Sequence, residues 1–184
     1  MTASFHLKKQ TFNISLNGDE NESLLTNANM IAQVTTMSFK GNEIDIQSIY
    51  LCFDDGECAV TYGQKVLATF NETMYTILAK QMATTLYDSR DLDELQCLHQ
   101  GQTVPCNGGY CQAMIGVSAG DLKAMDQLCI PKNFLRPAGI AINLEKSEDS
   151  TDYGITYACN KNTCNSREII DQIYKQIIDL PMLL

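Results

Sequence analysis

Phe12, Ile14 and Leu16 alternate with polar neighbours, the period of a half-buried β-strand. A second strand is expected from about Glu43 to Phe53, where Ile44, Ile46, Tyr50 and Cys52 share one parity and Ile49, Leu51 and Phe53 the other. Asp54-Asp55-Gly56 then reads as a turn and Ala59 to Tyr62 as a returning antiparallel strand, so that Cys52 and Cys58 would staple a hairpin end. Gly63 and Gln64 punctuate before a third candidate strand, Val66 to Phe70. From Asn71 the period changes. Met74, Ile77, Leu78, Gln81, Met82, Thr85 and Leu86 recur at helical spacing and predict one helix of about four turns near residues 71–88. The acidic stretch that follows, as far as Glu94, reads as a solvated connector and divides the chain into residues 1–94 and 95–184.

The second region has the pattern of short strands between turns. Asn107-Gly108-Gly109 precedes a strand from Tyr110 to Val117, and Ile130-Pro131 and Arg136-Pro137 interrupt regular structure. Ala138 to Leu144 and Tyr153 to Cys159 are expected to pair as a long hairpin with Glu145 to Asp152 at its tip. Asn165-Ser166-Arg167-Glu168 has the form of a capping box before Ile169, Ile170, Ile173, Tyr174, Ile177 and Ile178, and Pro181 marks the stop. The isoleucine face of this amphipathic helix must dock on the rest of the chain, the favoured expectation, or on a second copy.

A chain of 184 residues that is 45% hydrophobic is long enough for one good core or two small ones and too apolar for disorder. Its formal net charge of −9, with no basic cluster larger than Lys8-Lys9, argues against nucleic-acid binding. No apolar run is long enough to span a bilayer, and no apolar leader follows Met1.

Eight cysteines, an even number, suit four disulfides in an oxidising compartment. Six of them fall between Cys97 and Cys164, which marks the second region as a small unit stapled by bridges. Sequons at Asn13, Asn21 and Asn71 agree with a secreted or cell-surface glycoprotein.

The later cysteines run Cys97, Cys106 after eight residues, Tyr110-Cys111 after four, Cys129 after seventeen, and a closing Cys159-x4-Cys164-Asn165. This order resembles the three-finger proteins, which include snake toxins, lymphocyte-antigen-like surface proteins and receptor ectodomains, and the similar cysteine-rich ET module of nematode extracellular proteins. The resemblance covers Cys97 to Asn165 and rests on spacing. It implies bridges Cys97–Cys111, Cys106–Cys129 and Cys159–Cys164, and places Asn165 where the family's closing Asn hydrogen-bonds the palm of the fold. The bridge usual in the third finger is absent, with both partners missing together, and the segment after Asn165 is longer and more helical than that core needs. Binding to another protein through loops on a rigid disulfide palm, rather than catalysis, is what the resemblance implies. Finger loops would then be His99 to Thr103, Gln112 to Lys123 and Glu145 to Asp152.

Other chemistry is sparse. Cys106-x4-Cys111 and Cys159-x4-Cys164 have the ligand count for zinc but not the usual Cys-x2-Cys spacing. His6 and His99 are the only residues with an ordinary pKa near neutrality, and both read as exposed. Nucleophile-elbow, metalloprotease, phosphate-loop and dinucleotide motifs are all missing, so no cofactor and no catalytic residue is expected. Asp54/Asp55 and Asp91/Asp93/Glu94 read as acidic turns rather than calcium loops. Met114, Ile115 and Val117 read as strand core, and Met74 and Met82 as helix core. Tyr153 and Tyr157 lie to either side of Ile155; turned outward, they would form a contact surface. The expectation is an extracellular α+β protein: a β-rich N-terminal part with one helix, a disulfide-rich antiparallel three-finger-like part, and a C-terminal amphipathic helix, acting in protein recognition. A secreted hydrolase of unfamiliar class and an intracellular zinc-stabilised interaction domain are the alternatives.

Overall fold

The computed structural model describes residues 2–6, 11–15, 30–40, 43–51, 56–90, 94–118, 120–131, 138–146 and 151–178. Its elements are β1 (Thr2–His6), β2 (Thr11–Ser15), β3 (Met30–Ser38), β4 (Glu43–Leu51), α1 (Gly56–Thr69), α2 (Glu72–Leu86), β5 (Gln96–His99), β6 (Gln102–Pro105), β7 (Gly109–Ser118), β8 (Asp121–Pro131), β9 (Gly139–Lys146), β10 (Thr151–Cys159) and α3 (Arg167–Ile178). An antiparallel sheet of eight strands runs β2-β1-β4-β3-β9-β10-β7-β8, and β5-β6 forms a separate hairpin. The fold is thus mixed helix and antiparallel sheet, with three disulfides among the described residues.

Strand register explains why one face of the large sheet is apolar. Side chains directly opposite one another share a face. Ile46, Thr35, Ile142, Ile155 and Ile115 therefore stand in one row across β4, β3, β9, β10 and β7. The adjacent row is Ile44, Met37, Ile140, Tyr157 and Ala113, and every member of both rows is buried. Helices α2 and α3 touch each other, and their inward residues Tyr75, Leu78, Met82, Leu86, Ile170, Ile173 and Ile177 join these rows in one continuous core. Burying each large aliphatic side chain of this kind contributes roughly 1.5–3 kcal/mol. The isoleucine stripe of α3 is consumed here, inside its own chain. Alternate positions of the strands, among them Thr36, Asn143, Gly154 and Met114, form the second, more open face.

Residues 56–69 depart from the sequence reading. They form α1, so the described residues of the N-terminal region include two helices rather than the one expected, and no strand runs over 59–62 or 66–70. Ala59, Tyr62, Gly63, Val66, Leu67 and Phe70 already carry helical spacing, and carboxylates beside Gly56 suit a helix start as well as a turn. Windows of four or five residues rich in Val, Thr and Tyr hid that longer period. Cys58 consequently lies on a helix, while Cys52 falls outside the described residues. Helix α2 starts as expected. Asn71 is its N-cap, accepting a hydrogen bond from Met74 N at 3.1 Å.

Sheet order also ties together the two regions divided at residue 94. Strand β3 pairs with β9 from Ile31↔Lys146 to Ser38↔Gly139, so the four N-terminal strands extend the outer edge of the β9–β10 hairpin. A second tie is polar. Asn160, 4% exposed, donates its N–H to Leu86 O at 3.2 Å and its Nδ2 to Asp88 O at 2.6 Å, and accepts from Asp88 N at 2.7 Å. Lys161 Nζ donates to Thr84 O. The loop closed by Cys159 and Cys164 therefore holds the C-terminal end of α2, whose last carbonyls have no partner within the helix.

Candidate recognition surface

Three successive hairpins, β5–β6, β7–β8 and β9–β10, meet at their roots, and the second and third run side by side from Cys159↔Cys111 to Asp152↔Ser118. Their roots carry the bridges Cys97–Cys111, Cys106–Cys129 and Cys159–Cys164, with Cα separations of 5.2, 5.6 and 6.2 Å. The first links β5 to β7 and the second links the end of the first hairpin to β8. All six sulfurs are bonded to sulfur, so the four cysteines considered for zinc offer no thiolates. Among the described residues no other cluster of His, Cys, Asp and Glu has the form of a metal site.

Asn165 completes the root. Its side chain is fully buried and accepts from Leu98 N at 2.9 Å, while Nδ2 donates to Leu98 O at 2.8 Å and Gln112 O at 3.0 Å. Leu128 O stands at 3.5 Å, so one amide reaches β5, β7 and β8. Gln127 Nε2 in turn donates to Asn165 O at 2.6 Å. With its side chain committed inward, Asn165 does not cap α3. Ser166 Oγ faces Ile169 N at 3.5 Å instead, so the cap lies one residue later than expected and, with Ile169 at the third helical position, is a single cap and not a capping box. Gly109 is required here by close approach, since a Cβ would lie 2.5 Å from Ile130 O and 2.8 Å from Cys106 Sγ.

The first hairpin turns through Gln100 and Gly101, both at positive φ (49° and 79°), as a two-residue loop of this twist demands. His99 is exposed beside it. The second hairpin turns near Gly120, whose carbonyl accepts from Tyr174 Oη of α3 at 3.4 Å. Residues 147–150, at the third tip, fall outside the described residues, as do Asn21, Asp54, Asp55, Asp91 and Asp93.

Tyr153 and Tyr157 do not form an outward pair. Being two residues from Ile155 on either side, they share its face, and that face is the core. Tyr157 is 1% exposed and donates its Oη to Cys164 O at 3.0 Å; burial pushes its phenol pKa well above the ordinary value. Tyr153 is half-buried, with its pKa raised chiefly by burial and further by Tyr174. Ile155, Ile115 and Val117 are core, but Met114 stands on the opposite face at 36% exposure. Asn71 is exposed, and its Nδ2 takes no part in the helix cap. Asn13 lies in β2, opposite Ser4.

No protein-family model, no curated protein and no solved structure matches this chain. What the chain can do must be read from its own surfaces.

Two concavities lie on the open face of the sheet among the described residues. One, of about 420 Å³, lies over Thr36, Ala141, Thr156 and Ala158, with Glu43 and Asp45 at its end. The other, of about 350 Å³, lies over Gly116 and Gly154, which face each other on β7 and β10, and is walled by Met114, Thr156 and Asp126. No sequence motif marks either. They arise where small residues from distant segments meet in register, and that register becomes visible only when β3, β9, β10 and β7 are assembled.

Proposed function

We propose that the chain is an extracellular protein-recognition module, built on a three-finger-like disulfide unit and enlarged by N-terminal strands and helices. One observation carries the reading: three hairpins are fixed at a common root by three bridges and Asn165, with the first fingertip, Gln100-Gly101, exposed and one face of the β7, β9 and β10 strands turned away from the core. Such a root holds loops in place without a large core beneath each one, which lowers the ordering cost of binding. Extracellular location is supported by the three bridges, and the exposed sequon at Asn71 suits a glycan.

The test is a tetravalent display of the oxidised chain, secreted from a eukaryotic host, against an array of extracellular proteins. Saturable binding to a protein is expected, lost when the first fingertip, Gln100-Gly101, or residues 147–150 are replaced while the amide spectrum stays native. A natively folded display that binds no protein on the array overturns the reading, and so does a hydrolytic activity of the chain that His99→Ala abolishes.

A further inference from the structure

We infer that the open face of the eight-stranded sheet docks a cationic, partly apolar segment of a protein partner. The inference rests on the recognition reading above and names the surface and the chemistry.

Charge is segregated across the sheet. Glu43, Asp45, Asp126, Glu145 and Asp152 all have open-face parity. Among the described strands no Lys or Arg occupies a paired open-face position; Lys123 falls at the β8 register shift between Leu122 and Ala124, His6 stands opposite Asp45, and Lys146 has the opposite parity, in line with Ile31 and Thr151. Lys65, Lys80, Arg167 and Lys175 stand on the helices. A face of one sign attracts a partner of the other and steers its approach.

Shape supplies a second, independent observation. The trough over Gly116 and Gly154 has an exposed methionine, Met114, on its wall and the carboxylate of Asp126 beside it. Gly154 is not required by its backbone, which has no positive φ, nor by crowding, since an added Cβ would come no closer than 3.7 Å to Asn143. Its missing side chain therefore leaves room rather than relieving strain. An apolar side chain of the partner fits that trough, while flanking Lys or Arg residues reach Asp126 on one side and Asp152 and Glu145 along the neighbouring strands. Open-face residues of the N-terminal strands, Thr36, Ser38, Glu43 and Asp45, line the larger concavity, so they enlarge the surface beyond the fingers.

The test uses the full, oxidised, 15N-labelled chain and two probes: an octapeptide of six lysines and two leucines, and an octaglutamate control. Amide shifts with the lysine-leucine peptide are expected at Met114, Gly116, Asp126, Gly154 and Thr156, with none from octaglutamate. Asp126→Asn and Glu145→Gln are each expected to weaken binding about two- to five-fold, and raising the salt to 0.15 M to weaken it further. Gly154→Leu is expected to weaken the peptide five-fold or more with the fold unchanged. Shifts spread over the helices, or affinity unmoved by Asp126→Asn, Glu145→Gln and Gly154→Leu alike, would overturn this surface. That outcome is distinct from failure of the recognition reading itself: array binding that survives Asp126→Asn and Gly154→Leu but is lost with the fingertips refutes this face and leaves the fingers as the contact.

Discussion

The cysteine-rich region and the N-terminal region solve the same problem by different means. From Gln96 to Cys164 three bridges and Asn165 gather the roots of the hairpins, tying β5 to β7 and the end of β6 to β8, while the ladders set the register within each hairpin. Strands β1 to β4 have no such root among the described residues and are positioned by ladder pairing, ending on β9, with α2 held by Asn160 and Lys161. One sheet and one core result from both. The bridges join the first hairpin to the second, and ladders add β10, β9 and the N-terminal strands to that pair.

Breaking the root gives the largest expected effect. Cys106→Ala with Cys129→Ala is expected to cost about 4 kcal/mol in chemical denaturation. Because the core is continuous, fluorescence and circular dichroism should still report a single transition; separate transitions for α1–α2 and the hairpins would show that the regions are independent. Asn165→Ala comes next, at about 3 kcal/mol, since it leaves Leu98 N–H and two carbonyls buried without this partner. Its signature is a loss of hydrogen-exchange protection in β5, β7 and β8 rather than in β1 to β4.

Tyr157→Phe is expected to cost about 2 kcal/mol by stranding Cys164 O, and it has a pH signature. The phenol pKa is raised in the folded chain, mainly by burial, so its contribution is fully present below the ordinary value of 10.0 and is lost as pH rises above it. The variant should therefore have a flatter alkaline limb than the parent in urea melts above pH 10. The smallest effect tests the unstapled side. Asn71→Ala, in protein from a host that adds no glycans, removes the α2 cap for about 1 kcal/mol. Amide exchange should rise in the first turn of α2 and stay unchanged around Asn165.

The same contrast governs what the sequence made legible. The β9–β10 hairpin and helices α2 and α3 announce themselves because each carries one period over most of its length, while β4 and β7 do so by apolar density, with both parities occupied by apolar residues. Helix α1 did not, since Val60, Thr61 and Tyr62 look like strand when four residues are read alone and like helix when fourteen are. Strands β1, β3, β5, β6 and β8 carry no such mark. Gln33 and Thr35 occupy buried positions of β3, so polarity ceases to signal which face is inside. The tyrosines mislead by chemistry: Tyr157 has the composition of a contact residue, yet its position two residues from Ile155 commits it to the core. Least legible of all was the open sheet face. Gly116 and Gly154 are 38 residues apart in sequence, and nothing local records that they face each other.

The pairing of β3 with β9 has a consequence in time. Thr35 and Ile142 are neighbours across the ladder but 107 residues apart along the chain. A ribosome delivers β3 and β4 long before β9 exists, so the nascent hairpin waits with one edge unpaired, a template for other strands. Closing so distant a contact slows folding, and β9 must itself be seated in the bridged hairpins. The N-terminal strands are thus the first part synthesised, and the free edge of β3 is covered only once β9 has been made.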